Sequence, residues 1–207
     1  MPHVSLNDLV VGVRSGDRLT SFPTDTVPAL ASHPDRADLI FAAKQRSLDK
    51  PLILMAATID DLWEYVVGSL EERAVWEQTA KRYLPGALTL VLPASDRVPS
   101  ALNPTDPTTI GVRVPNHALA RAILTQTGPL ATTSANRSGE PPLQTMNEIE
   151  AQFPDVLTLE PTEMIALQAA TLTQPQSPSG VPSTVVRWTG AGWNVLRQGA
   201  ITLEDTV

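Results

Sequence analysis

The chain is 207 residues long, 42% hydrophobic and 18% charged. This is a globular composition that excludes wholesale disorder and gives one large domain, or one domain with an appendage. It has no cysteine, which removes disulfides, thiolate metal sites, iron–sulfur clusters and cysteine nucleophiles and fits a reducing compartment. Its formal net charge of −7 argues against bulk nucleic-acid binding.

No run of about 18 apolar residues is present, so no membrane span is expected. Met1–Asp17 lacks a basic stretch followed by an apolar one, so no signal peptide is expected and the cytoplasm is the default location. Leu6, Leu9, Val10 and Val13 recur at helical spacing within Ser5–Arg14, with Ser5 or Asn7 as the cap. Arg18–Phe22 reads as a short strand ending at Pro23, and Asp35–Gln45 as a helix with Leu39, Ile40, Ala42 and Ala43 on its apolar face. Leu52–Ala56 is a continuous apolar run, the mark of a buried strand. Thr58–Tyr65 and Leu70–Tyr83 read as helices, the second stopped by Pro85-Gly86, and Leu88–Leu92 as another buried strand. Ser95–Pro107 is a proline-bearing loop.

Thr109–Val114 is a strand, His117–Gln126 a helix and Leu130–Thr132 a short strand. Ser138–Leu143 is a loop, followed by a helix near Met146–Gln152 and a strand at Val156–Leu159. Gln174–Pro182 is rich in Pro, Ser and Gly and reads as a mobile loop. Thr184–Trp188 and Trp193–Arg197 bracket Thr189-Gly190-Ala191-Gly192 as a hairpin. The interleaving predicts an α/β or α+β fold: one domain over residues 1–207 with a twisted mixed sheet flanked by helices.

Several chemistries have no signature. There is no G-x-x-x-x-G-K-[ST] loop, no G-x-G-x-x-G and no H-E-x-x-H, and the three histidines are scattered. Ser134 lies in T-S-A-N rather than G-x-S-x-G, which leaves a hydrolase elbow without support.

Five segments carry polar groups where chemistry is possible. Ser21–Val27 places Thr24, Asp25 and Thr26 in a Pro-fixed turn, which suits a small polar ligand or an ordinary Asx-turn. Lys44, Arg46 and Lys50 fall between a helix C-terminus and a buried strand. They complement the helix dipole or clamp a polyphosphate. Arg113, inside an apolar strand, needs either a structural carboxylate or a ligand cavity. Leu130–Gly139 ends a strand in small hydroxylated residues, then Asn136, where a ligand approaches closely or a turn is made. Ser183-Thr184 enters a strand after a Gly/Pro loop, and Arg197 precedes a Gly turn; either is structural or ligand-facing. Charge is unevenly spread: Ser138–Val186 holds six acidic residues and no Lys, Arg or His, leaving 15 basic against 16 acidic elsewhere. A locally positive site is compatible with the acidic whole.

In order, F-P-T-D-T-V at 22–27, K-Q-R-S-L-D-K-P-L at 44–52, P-G-A-L-T-L-V at 85–91, T-I-G-V-R-V-P at 109–115, T-S-A-N-R-S-G at 133–139, S-G-V-P-S-T-V-V and L-R-Q-G-A-I resemble the YrdC family of threonylcarbamoyl-AMP synthases. The resemblance covers about residues 5–201, and the extra C-terminal domain of longer relatives is not expected here. It implies a concave, positive ligand-binding surface. It also implies a reaction of L-threonine, bicarbonate and ATP to threonylcarbamoyl-AMP and pyrophosphate, with Mg²⁺ carried by the nucleotide. Downstream transferase proteins then modify tRNA. By the resemblance, Lys44, Arg46, Ser134 and Asn136 are catalytic and, with Lys50 and Arg197, bind ATP. Thr24, Thr26, Arg113, Thr133 and Ser183 bind threonine, and Gln174–Pro182 is a candidate lid. The family's T-D-T-V continues Tyr-Gly-Leu, whereas here it continues Pro28-Ala29-Leu30. Two alternatives follow: a non-catalytic module for structured or double-stranded RNA, and an enzyme adenylating a different carbamate.

Overall fold

Helix starts follow local capping chemistry. In the computed structural model, which describes residues 3–170 and 178–204, Ser5 accepts from the Asp8 amide and opens α1 (Leu6–Arg14). A reciprocal pair, Ser69 with Glu72, opens α3 (Leu70–Tyr83), and Thr145 with Glu148 opens α5 (Met146–Gln152). The remaining helices are α2 (Ala37–Lys44), α4 (Ala118–Thr127) and α6 (Pro161–Ala170). None of the described helices is long and apolar enough to cross a membrane.

Ten strands are described. β1 (His3–Val4) pairs in parallel with β8 (Thr158–Leu159). The other eight are β2 (Thr20–Phe22), β3 (Ala29–Ser32), β4 (Ile53–Met55), β5 (Leu88–Pro93), β6 (Thr109–Arg113), β7 (Leu130–Ser134), β9 (Thr184–Trp188) and β10 (Trp193–Arg197). They form one mixed sheet in the order β10-β9-β5-β6-β4-β7-β3-β2, flanked by helices as the sequence predicts.

The two faces of this sheet have different fates. On one, Leu54, Leu90, Ile110, Val112 and Val186 pack with Ile40 and Phe41 of α2, Trp76 of α3 and Phe153 beyond α5. On the other, α1 and α4 supply Leu9, Val13, Leu119 and Ile123 against Phe22, Ala29, Met55 and Leu130. These two helices cover the β2–β3–β7 end and reach Met55 of β4. Farther along the same face, Ile53, Gly111, Arg113, Thr89, Val91 and Val185 floor a cavity. Strand alternation thus puts Ile110 and Val112 in the core and Gly111 and Arg113 in the cavity.

Some expected elements shift. The helix expected from Asp35 begins as a 3-10 turn, Pro34–Arg36, because Arg36 leaves helical geometry at φ −118° and ψ 37°. Thr58–Tyr65 is a 3-10 segment only from Asp60, since Thr58 and Asp61 bond each other's amides in a local turn. The Ser95–Pro107 loop contains a 3-10 turn at Ser100–Leu102. β1, β3 and α6 have no counterpart in the sequence reading. The expected loop at Gln174–Pro182 lies outside the described residues up to 177.

Candidate functional site

The cavity measures about 630 Å³, a volume ample for a nucleotide-sized ligand. Five cations line it, Arg46, Lys50, Arg113, Arg187 and Arg197, against two carboxylates, Asp49 and Asp106, a local balance of +3. The acidic chain therefore concentrates positive charge in this hollow, where low-dielectric walls strengthen the field.

Arg113 anchors the floor. It stands at the C-terminal end of β6, and its guanidinium is held on three sides. Nε donates to Gly86 O at 3.1 Å, Nη1 to Thr26 Oγ1 at 2.9 Å and Nη2 to Asp25 Oδ1 at 2.7 Å. Its side chain is 5% exposed. Burial pulls its pKa below the usual arginine value while Asp25 opposes that shift. Three of the five N–H groups of a guanidinium are thus committed, leaving two for a ligand. Of the two readings open for Arg113, both hold: it pairs with a carboxylate and faces a cavity.

The turn between β2 and β3 supplies two of those partners, Asp25 and Thr26. Thr24 Oγ1 donates to Val27 O at 2.7 Å, accepts from the Thr26 amide and lies 3.1 Å from Thr26 Oγ1. Thr24 is buried and absent from the cavity wall, so its geometry sets the turn while Thr26 faces the cavity. The Ser179 and Gly180 amides donate to Asp25 O and Thr26 O, each at 3.0 Å. The described end of the expected Gln174–Pro182 lid is thereby docked on this turn.

The K-x-R residues separate. α2 ends at Lys44, and Gln45 adopts the left-handed cap at φ 49°. The chain reverses there, so Lys44 points inward and Arg46 into the cavity. Lys44 is 1% exposed. Its Nζ donates to Ser134 O and to Asn136 Oδ1. Lys44 lies behind the cavity wall rather than on it, away from the direct phosphate contact expected for it, and two of its three ammonium N–H groups go to protein acceptors there. Burial, with Arg46 and Lys50 adding repulsion, lowers its pKa to about 7. Asn136 Oδ1 also accepts from Ser134 Oγ at 2.6 Å, and its Nδ2 is tied to Arg137 O and Glu140 O. Ser134 lines the cavity and Asn136 does not.

On the walls, Arg46 donates to Lys50 O and Pro51 O, each at 3.0 Å, which rigidifies the loop that carries Lys50. Burial lowers the Arg46 pKa, with Asp49 opposing. Opposite, Arg197 forks onto Ser183 O at 3.2 and 2.8 Å, and Ser183 Oγ lies 2.9 Å from Thr89 Oγ1. Of the expected site residues, Thr26, Arg46, Lys50, Arg113, Thr133, Ser134, Ser183 and Arg197 meet in the cavity, and Thr24, Lys44 and Asn136 sit directly behind it. Pro28 and Ala29 line it too. The sequence reading missed Arg187 and Asp106. The available signal was an arginine two residues beyond Val185, hence on the same strand face as that residue.

The chain has relatives among known proteins. The chain is 40% identical over 132 residues to threonylcarbamoyl-AMP synthase of Bacillus subtilis, covering 60% of this chain and 36% of that protein. It is 34% identical over 157 residues to the Escherichia coli O1:K1 protein of the same name, covering 74% and 82%. P. abyssi Sua5 complexed with L-threonine superimposes with a TM-score of 0.75 at 30% identity, over 94% of this chain and 54% of that one. The chain therefore spans about a third and about half of two of these relatives, and most of the third. A family described as "Telomere recombination" (Sua5/YciO/YrdC) matches residues 13–199. On that match, the chain belongs to the Sua5/YciO/YrdC family.

Proposed function

We propose that the chain is a threonylcarbamoyl-AMP synthase, joining L-threonine, bicarbonate and ATP. The observation that carries this reading is Arg113, pinned at the cavity floor with two N–H groups free, facing Arg46, Lys50 and Arg197 on the walls. A bidentate guanidinium suits a carboxylate, and a ring of cations suits a triphosphate.

The amine of threonine combines with bicarbonate to give a carbamate and water. A carbamate oxygen attacks the α-phosphorus of ATP, and the bond to pyrophosphate breaks. No protein nucleophile enters, so the chain contributes positioning and charge neutralisation. Arg113 takes the threonine carboxylate, with Thr26, Thr133 and Ser183 around it. Arg46, Lys50 and Arg197 neutralise phosphate oxygens. Ser134 faces the reacting carbamate, and Lys44 and Asn136 fix Ser134 from behind. Thr24 fixes Thr26 in the same way. Two lining carboxylates are too few for a protein cage, so Mg²⁺ would be carried by the nucleotide and would neutralise phosphate charge there. The product passes to transferase proteins acting on tRNA, and a cytoplasmic location suits that role.

The test is pyrophosphate release from ATP and bicarbonate with and without L-threonine. Threonine-dependent release is expected. Folded protein that binds ATP but releases none overturns the reading, and tRNA binding without turnover would favour the RNA-module alternative.

A further inference from the structure

Arg187 is the cation of the cavity that the mechanism leaves unused. It lies on β9 beside Val91 of β5, on the face that Val185 shares, while Val186 between them enters the core. Its side chain is 46% exposed, and Nη2 meets Asp106 Oδ2 at 3.2 Å. Asp106, in the loop before β6, is fixed in turn: its carboxylate accepts from the Thr108 hydroxyl at 2.5 Å and the Thr109 hydroxyl at 3.3 Å. The Thr108 bond is the main cause of a pKa held below the usual carboxylate range. Asp106 therefore stays ionised at neutral pH. Asp106 engages Nη2 of the Arg187 guanidinium, and the half-exposed side chain lines the cavity.

Resting on the synthase reading, we propose that Arg187 binds the pyrophosphate portion of the nucleotide and that Asp106 holds it in place until a phosphate competes for the same guanidinium. Two walls are joined by this pair: the β9–β10 hairpin and the loop before β6. A polyphosphate entering between them exchanges a carboxylate partner for a more highly charged one. The pair thus also sets which anions displace it: a triphosphate or pyrophosphate, with several negative oxygens, competes better than a monophosphate.

The experiment is calorimetric binding of ATP, AMP, inorganic pyrophosphate and L-threonine to wild type, R187Q and D106N. R187Q is expected to bind ATP and pyrophosphate about tenfold more weakly, with AMP and threonine affinities unchanged. D106N, which removes the competing carboxylate and keeps an oxygen to accept from Thr108, is expected to bind pyrophosphate more tightly. Wild-type affinity for ATP and pyrophosphate in R187Q overturns the proposal. So does an equal loss for AMP, which would place Arg187 at the nucleoside end, and so does D106N binding no tighter than wild type. Failure of the wild type to bind ATP at all would instead overturn the synthase reading.

Discussion

Nη2 of Arg113 and Oδ1 of Asp25 lie 2.7 Å apart although 88 positions separate them in the chain. Both side chains are largely buried, at 5% and 13% exposure. Breaking such a pair from one side strands the other charge in a poorly solvated place. D25A is expected to lower stability by about 3–5 kcal/mol. The double variant D25A/R113L should recover much of that loss in a denaturant titration while abolishing threonine binding. Stability unchanged in D25A would mean that the pair contributes nothing.

Lys44 gives a pH signature. Its folded pKa of about 7 lies below the ordinary lysine value of 10.5. Between those two values the unfolded chain binds the proton and the folded chain does not. Unfolding free energy from this group therefore rises with pH across that window, by at most about 1.4 kcal/mol per pH unit. Below pH about 7 the amine is charged in both states and the slope vanishes. Urea midpoints measured at pH 6, 7.5 and 9 should show a rise that K44M lacks.

Ser134 and Asn136 act as one unit. S134A removes the hydroxyl that faces the cavity and leaves the Lys44–Asn136 bond intact. Threonine-dependent pyrophosphate release should fall about 100-fold, with the melting temperature nearly unchanged. K44A should also lower release, through loss of the group that fixes Ser134. Full activity in both variants would remove these residues from the site.

Gly111 keeps the cavity floor flat. A Cβ there would stand 2.8 Å from Ile53 Cγ2 and 3.3 Å from Thr89 Cγ2. Ile53 Cγ2 sits on a stiff β-branched carbon and cannot swing aside cheaply. G111A is expected to cost about 1–3 kcal/mol and to raise KM for ATP. Calorimetry and steady-state kinetics on the same preparation check both.

Chain-local physics was legible in the sequence. Ser5, one of the two caps open from the sequence, starts α1, Leu70–Tyr83 is helical over the expected residues, and the hairpin of Thr184–Trp188 and Trp193–Arg197 forms where its glycines allow. The motifs already pointed to eight residues that meet in one cavity. Other features lacked a local signal. Ala29–Ser32 has no β-branched or aromatic residue, and becomes a strand because β2 and β7 bond it on both sides. Pro161–Ala170 lacks a helical stripe, and its helix packs against α4 through long-range contacts.

Tertiary structure alone decided which polar residues face the cavity. Lys44 and Arg46 are two positions apart, yet the left-handed turn at Gln45 sends one behind the wall and the other into it. Arg113 reads from sequence as either paired or ligand-facing, and only the sheet, which brings residues 25, 26, 86 and 113 together, makes it both. Strand order and the reach of α1 and α4 leave part of one sheet face uncovered. Those are long-range packing outcomes, and spacing along the chain records only neighbours within a few residues.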